Sequence, residues 1–203
     1  MDYRYDVFIS YKSKSKIWLQ EIFLPDFVHF LEEEVDKDVR ERIFVDWHDI
    51  EAGDAWEQRL KNGLGRSKCL ISLLLPTYFE SNWCTKEFAV FEHRSRQCGI
   101  LTIEQPRGLI VPVALHHGSR FPEIIKSMQA LDYKDFYYPN FEGYRKRKIY
   151  PRLQDELKQL AITVAQVIQE APDWNPEWLQ DHWLELPTEH LRIDKFTVTQ
   201  PRI

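Results

Sequence analysis

Short apolar segments alternate along this chain with longer segments in which apolar residues recur at helical spacing. Apolar runs of four to eight residues bounded by turn-forming residues are typical of strands that are buried on both faces. The third and fourth runs show little polar alternation, which favours a parallel sheet. The runs predict five strands: YDVFIS at 5–10, RIFVD at 42–46, KCLISLLL at 68–75, GLIVPVAL at 108–115 and a less regular LDYKDFYY at 131–138.

Four further segments have the apolar spacing of helices. Pro25 interrupts the first, which predicts a kink or two helices with Pro25 near the start of the second. The second opens on an acidic residue and is predicted to end near Gly63 and Gly65. Pro151 suits the first turn of the last helix. The predicted helices span 16–35, 54–64, 81–98 and 151–170.

The alternation of strands and helices predicts an α/β protein. Five strands in this arrangement indicate a flavodoxin-like parallel sheet with strand order 2-1-3-4-5, flanked by helices. We assign residues 1–170 to this domain. Residues 171–203 break the pattern and place Trp174, Trp178 and Trp183 between prolines. They are interpreted as a C-terminal extension, which either folds back over the core, the favoured reading, or offers an interface.

Composition narrows the class of function. The chain has 203 residues and a formal net charge of −5, so no global basic field predicts nucleic-acid binding. The basic run at 144–152 is interpreted as a solvated approach to a helix, with phosphate binding as the alternative. Three cysteines without a C-x-x-C pair predict neither disulfides nor structural zinc, and a reducing cytoplasmic location. No signal peptide and no apolar run of membrane-spanning length is found, which predicts no membrane association.

Topology predicts where a ligand binds. In open α/β sheets, ligands lie beyond the carboxyl ends of strands where the strand order reverses, here between the first and third strands. The loops that follow the first three strands meet at that edge and bring Lys12, Glu51, Trp83 and Glu87 towards one crevice. Trp83 and Glu87 are four residues apart, so they share one face of the predicted helix. Three of these residues also have a purely structural interpretation. Glu87 is then a solvated glutamate, Lys12 a surface lysine and Trp83 an indole at the edge of the core.

The same segments resemble the successive sequence boxes of TIR domains. The similarity extends over about residues 4–170. The chain also resembles stand-alone bacterial TIR proteins, some of which act in anti-phage defence. Many TIR domains cleave NAD+ between ribose and nicotinamide, and others only assemble signalling complexes. The four matching segments, in the family's order, are DVFISY (6–11), IFVDWHDIEAGDAW (43–56), SKCLISLLLPTYFESNWCTKEF (67–88) and LIVPVAL (109–115).

The resemblance implies a catalytic glutamate, NAD+ as the substrate and no metal. It also implies self-association through the loop at 47–56, and a downstream effector that senses an ADP-ribose-derived product. The alternatives are plain NAD+ depletion and a non-catalytic adaptor. The position that matches the family's catalytic glutamate is Glu87, and the positions expected to contact NAD+ are Tyr11, Lys12, Ser13, Asp46, Trp47, Glu51 and Trp83.

The chemistry of NAD+ suits a site with one carboxylate. Its nicotinamide is already cationic and leaves as a neutral molecule, so no general acid is required, in contrast to ordinary glycosidases. A single carboxylate can stabilise the positive charge that develops on the ribose, and an indole can stack on the cationic ring. The structural alternative for Asp46 is that it caps the following loop. The structural alternative for Trp47 is that it is a packing residue. Adjacent His116 and His117 lack a partner at metal-ligand spacing, so no metal site is predicted.

Overall fold

A five-stranded parallel sheet forms the centre of the protein, with strand order β2-β1-β3-β4-β5. The computed structural model describes residues 2–46, 54–103, 107–138, 142–180 and 185–192. Trp47, Glu51 and Trp183 therefore lie outside the described residues. The strand order confirms the predicted fold class. The strands are β1 (Tyr5–Tyr11), β2 (Ile43–Val45), β3 (Ser67–Leu74), β4 (Ile110–Ala114) and β5 (Leu131–Asp132).

The helices follow the predicted segments closely. A five-residue π-helical turn separates the first two helices, and Pro25 lies in the first turn of the second, which confirms the predicted interruption. The five-residue helix α5 was not predicted, because it is too short to show a helical period. The helices are α1 (Lys16–Trp18), α2 (Leu24–Val35), α3 (Asp54–Arg66), α4 (Asn82–Gln97), α5 (Glu123–Ser127) and α6 (Tyr150–Gln169).

Two apolar cores cover the two faces of the sheet. Val7 and Ile9 of β1 pack with residues of α2 and α6 on one face, whereas Phe8 packs with residues of α3 and α4 on the other. Side chains alternate between faces along a strand, so Ser10 shares the face of Phe8 and is directed towards α4. No helix within the described residues is both long and apolar enough to cross a bilayer.

The fifth strand is much shorter than the predicted run at 131–138. It ends at Asp132, whose Oδ1 accepts a hydrogen bond from the Lys134 backbone N–H at 3.1 Å. The backbone N–H of Phe136 then bonds the Tyr133 carbonyl at 3.0 Å, which closes a turn. Aspartate side chains favour such turns because they bond the backbone two residues on. Of the aromatic residues that suggested a longer strand, Tyr133 and Phe136 pack into the core from this turn instead.

Helix α3 ends at Arg66, one residue beyond Gly65, close to the predicted end, although Gly63 and Gly65 are themselves helical. Both glycines allow other groups to approach the helix closely. A Cβ at Gly63 would lie 2.8 Å from ring carbons of Phe44, and one at Gly65 would lie 2.7 Å from the Trp178 carbonyl oxygen. The glycines therefore meet a packing requirement rather than mark the end of the helix.

The described part of the C-terminal extension packs against α3 and α4. Trp174 Nε1 donates to the Gly65 carbonyl at 2.9 Å, and the Trp178 ring lies 4.0 Å from the guanidinium carbon of Arg94. Farther along, His190 Nε2 lies 2.7 Å from Glu92 Oε2, and Leu191 is fully buried in the core. The described extension thus folds back over the domain.

Asp6 joins the amino ends of the central strands. Its carboxylate is fully buried and lies 2.6 Å from Arg42 Nε, 2.9 Å from Lys37 Nζ and 3.1 Å from Lys68 Nζ. Burial by itself would raise the pKa of the Asp6 carboxyl, but hydrogen bonds from these three cations outweigh it and hold the pKa well below its usual range. A buried carboxylate with three cationic partners fixes β1 relative to β2 and β3.

We expect Asp6→Asn to lower the free energy of unfolding by about 3 kcal/mol, because it leaves partly buried cations without their counter-charge. Urea unfolding followed by circular dichroism measures the change. Asp2→Asn is the matched control, since Asp2 is exposed, and it should have little effect. Equal stability of the two variants would contradict a structural role for the Asp6 cluster.

We expect Gly65→Ala to displace the extension and destabilise the protein, although alanine favours a helix by roughly 1 kcal/mol. The added Cβ would meet the Trp178 backbone. Limited proteolysis, with mass spectrometry of the cleaved bonds, should show faster cutting after residue 170. Gln58→Ala, at an exposed position of the same helix, is the control for helix propensity. A more stable Gly65→Ala protein with an uncut extension would refute the close-packing explanation.

Candidate active site

The carboxyl group of Glu87 lies at the carboxyl ends of β1 and β3, where the sheet order reverses. Ser81 precedes α4 and its side chain accepts a hydrogen bond from the Cys84 backbone N–H at 3.5 Å. The first turns of α4 then carry Glu87 to β1, where its Oε2 accepts a hydrogen bond from the Ser10 hydroxyl. Glu87 is only 8% exposed. It is therefore a buried carboxyl with a specific partner, and not the solvated glutamate of the purely structural interpretation.

Two hydroxyl groups that sequence reasoning missed accompany Glu87. Ser10 Oγ lies 2.7 Å from the hydroxyl of Tyr78, which comes from the 3₁₀ turn Pro76–Tyr78 after β3. Ser10 and Tyr78 are both buried. The available signal was a serine near the carboxyl end of an apolar strand, a position where burial requires a hydrogen-bond partner.

Burial controls the electrostatics of this cluster. Burial, which the Ser10 hydrogen bond opposes and the negative charge of Asp46 assists, raises the pKa of Glu87 to about 8. Burial, together with the charge of Glu87, raises the pKa of the Cys84 thiol to about 12. Cys84 is thus a thiol at neutral pH, which argues against a cysteine nucleophile at the start of α4.

An indole pair adjoins Glu87 along α4. The ring of Trp83 meets that of Trp56 edge to face, with centroids 4.6 Å apart. Trp56 Nε1 donates to Asp46 Oδ2 at 2.6 Å, so the pair links α3, α4 and the end of β2. Trp83 is only partly buried and its ring lies 5.4 Å from the Lys86 ammonium, a contact that shows its face attracting a cation.

The other predicted site residues occupy varied positions. The Asp46 carboxylate also binds Arg59 at 2.7 Å, and the Tyr11 hydroxyl donates to the Asp46 carbonyl at 2.8 Å. Tyr11 packs against the core on the opposite face of the sheet from Glu87. Lys12 is partly buried and its carbonyl accepts from Ser15, while Ser13 is exposed in the turn that follows. Their roles towards a ligand stay predictions.

The adjacent histidines and the basic run, the other candidates from the sequence, have contacts of their own among the described residues. Within the described ranges, no group of three or more histidine, cysteine, aspartate or glutamate side chains could hold a metal ion. His116 and His117 lie beside each other with ring centroids 5.8 Å apart. In the basic run, Arg145 forms an ion pair with Asp26 at 3.2 Å and a hydrogen bond with Tyr150 at 2.7 Å.

The geometry defines a doubly wound α/β protein with a buried acidic site at its topological switch point. Residues 7–149, more than half of the chain, match the family model described as "TIR domain". The chain belongs to the TIR domain family.

Similarity to a curated protein covers a shorter segment. The chain is 32% identical over 83 residues to "Probable 2' cyclic ADP-D-ribose synthase TcpB" of Brucella melitensis, strain 16M. The matched segment covers 41% of this chain and 30% of the Brucella protein, so the chain spans under a third of that relative.

Solved structures with TIR domains show distant similarity. The TIR domain of the Toll-related receptor TRR-2 from Hydra magnipapillata is 21% identical, with a TM-score of 0.42, over 76% of this chain and 98% of that domain. The TIR domains of the activated Roq1 resistosome, which recognises the pathogen effector XopQ, are 19% identical, with a TM-score of 0.35, over 82% of this chain and 96% of theirs. Both scores are low, so the fold assignment rests on the strand order and the family match.

We expect Glu87→Gln to change stability in a pH-dependent way. The pKa of Glu87 rises from its ordinary 4.5 to about 8 on folding, so the folded protein holds the proton more tightly. That stabilisation is fully present below pH 4.5 and is lost as pH rises through 8. Glutamine does not titrate, so its stability relative to wild type should grow by up to roughly 1.4 kcal/mol per pH unit in this window. Urea unfolding at several pH values measures it, and a pH-independent difference would contradict the buried state of Glu87.

Proposed function

We propose that this protein cleaves NAD+ at the bond between nicotinamide and ribose, with Glu87 as the catalytic residue. The observation that carries the proposal is the buried Glu87 carboxyl at the switch point, on the same helix face as the partly exposed Trp83. Membership of the TIR family supports it, as does the printed name of the Brucella relative.

The reaction requires charge stabilisation rather than acid catalysis. When the N-glycosidic bond breaks, its electron pair moves to the nicotinamide nitrogen, and nicotinamide leaves as a neutral molecule. Positive charge then develops on the ribose, where an ionised Glu87 stabilises it. Attack by water gives ADP-ribose and a proton, whereas attack by a hydroxyl of the same molecule gives a cyclic ADP-ribose and a proton.

The raised pKa of Glu87 suits a cationic substrate. With a pKa of about 8, roughly one tenth of the free protein holds the carboxylate at pH 7. A bound pyridinium ring nearby favours the charged form, since an opposite charge lowers the pKa of an acid. Substrate and carboxylate therefore stabilise each other, and Trp83 offers an indole face to the cationic ring.

We propose a cyclic ADP-ribose as the product and a signal for a downstream effector as its use. The name of the Brucella relative supports cyclisation, although the similarity covers less than half of this chain. Action in the cytoplasm as part of anti-phage defence belongs to the same proposal. Self-association through the loop at 47–56 stays a prediction, because residues 47–53 lie outside the described ranges. Linear ADP-ribose as the product would instead indicate NAD+ depletion.

We expect Glu87→Gln to reduce nicotinamide release by about 10²–10³-fold, because the amide keeps the size of the side chain and removes the stabilising charge. Incubation with NAD+ and chromatography of the products measures both the rate and the product. Since dilute protein is inactive if assembly is required, the assay includes high protein concentrations.

Glu92→Gln is the matched control for this variant. Glu92 is an equally buried carboxylate on α4, but it pairs with Arg96 and His190 away from the site. It should release nicotinamide at close to the wild-type rate. Equal loss in both variants, or full activity in Glu87→Gln, would refute the assigned role. No release from the wild-type protein at any concentration would favour a non-catalytic adaptor.

A further inference from the structure

Around an ionised Glu87, the number of available protons determines which group donates each hydrogen bond and which accepts it. A hydroxyl group carries one proton, so it donates one hydrogen bond. When Glu87 is ionised it can only accept, and the Ser10 hydroxyl must donate to it. Ser10 then has no proton left for Tyr78, so the Tyr78 hydroxyl must donate to Ser10 across their 2.7 Å separation. The three groups form a chain directed from Tyr78 through Ser10 to the carboxylate, called here the hydroxyl chain.

Protonation of Glu87 weakens this arrangement. With the proton on Oε1, Oε2 still accepts from Ser10, but a hydrogen bond between neutral groups is weaker than one to a carboxylate. If Glu87 instead donates its proton to Ser10, then Ser10 turns to donate to Tyr78, and the Tyr78 proton requires a new acceptor. Within the described part of the chain, Ser10 is the hydrogen-bond partner of the Tyr78 hydroxyl. Ser72 is the register neighbour of Ser10 on β3, but its buried hydroxyl has no partner among the described residues, so it does not accept from Tyr78.

The burial of Tyr78 makes it important that its hydroxyl proton has an acceptor. Tyr78 is fully buried, so a state in which its hydroxyl proton lacks an acceptor is unfavourable. The ionised state of Glu87 gives the hydroxyl chain its strongest acceptor and keeps Ser10 as the acceptor of the Tyr78 proton. Donors in series also polarise one another, which strengthens the last bond to the carboxylate.

We propose that Tyr78 and Ser10 are positioning residues that favour the ionised form of Glu87, and that they thereby shift the pH range in which it can act towards neutral pH. This inference rests on the proposed function only for its consequence for catalysis. The state of the carboxyl group itself can be tested whether or not NAD+ is cleaved.

Other influences on Glu87 oppose the hydroxyl chain, because they favour the protonated form of its carboxyl group. Burial favours the protonated form of Glu87, and so does the negative charge of Asp46, which Arg59 partly offsets. Cys84 is uncharged at neutral pH for the reason given above. Against these influences, the Ser10 bond lowers the pKa of Glu87. The titratable and charged groups around Glu87, from each neighbouring element, are Lys12, Asp46, Arg59, Tyr78 and Cys84.

The test titrates Glu87 directly by NMR of carboxyl carbons in protein with labelled glutamate, and Glu87→Gln assigns the signal. We expect Ser10→Ala to raise the pKa of Glu87 by roughly one pH unit, because a hydrogen bond to the charged form is lost. Tyr78→Phe should raise it by a smaller amount, since Ser10 keeps its bond but loses its polarising donor. Both variants remove one oxygen and add no atoms, which favours retention of the fold.

Tyr133→Phe is the matched control. Tyr133 is also buried, and its hydroxyl has no hydrogen-bond partner among the described residues. It should leave the pKa of Glu87 unchanged. An unchanged pKa of Glu87 in Tyr78→Phe would overturn the proposal, whatever Ser10→Ala does, and so would an equal rise in Tyr133→Phe.

Nicotinamide release, measured from pH 6 to 9 on the same proteins, separates this inference from the proposed function. Ionised Glu87 is the active form, so the rise of kcat/KM with pH should move to higher pH in Ser10→Ala and Tyr78→Phe. A shifted NMR titration without NAD+ cleavage in any protein would refute the proposed function and leave the hydroxyl chain supported. A shifted activity profile with an unshifted NMR titration would overturn the hydroxyl chain.

Discussion

The burial of one carboxyl group beneath the ends of β1 and β3 is the constraint on which the site depends. A carboxyl taken out of water is unfavourable when charged unless donors replace the lost hydration. Glu87 obtains its donor from Ser10, which in turn lies beside Tyr78. The sheet supplies this arrangement because Ser10 occupies the face of β1 that is directed towards α4. The result is a buried carboxyl whose pKa is raised to about 8, close to neutral pH.

The central strands are held at both ends by polar contacts within an apolar core. At the amino ends, Asp6 binds three cations that come from outside β1. At the carboxyl ends, Ser10 binds Glu87 of α4. Helices α3 and α4, which carry Trp56 and Trp83, are covered towards their far ends by the C-terminal extension. The extension thus contacts the helices that build the site, although the contacts described here lie at the opposite ends of those helices from Glu87.

Much of the architecture could be predicted from the sequence, because buried parallel strands and amphipathic helices leave strong periodic signals. The pairing of Trp83 with Glu87 on one helix face, and its place at the switch point, also followed from spacing and topology. The length of β5 was predicted wrongly because a side chain changes the course of the backbone there: Asp132 ends the strand through its own turn. The role of Gly65 was also missed, since it leaves room for the extension to approach α3.

The hydroxyl partners of Glu87 were beyond sequence reasoning for a different reason. Alternation shows that Ser10 faces one side of the sheet, but not which helix residue lies opposite. Tyr78 comes from a short turn without periodicity, and Trp56 pairs with Trp83 only through the packing of α3 on α4. Tyr11 packs on the other face of the sheet from Glu87 and supports the backbone of Asp46, a contact that the sequence did not predict. Such contacts between elements depend on the packed structure.

The central claim is that Glu87 stabilises a cationic nicotinamide riboside through its own negative charge. The most direct measurement is the carboxyl titration of Glu87 with a non-cleavable, positively charged NAD+ analogue bound, compared with NADH, whose nicotinamide ring is neutral. The account predicts that the pKa of Glu87 falls when the cationic analogue binds and falls less, or not at all, with NADH. The same pKa with both ligands at saturation would contradict it.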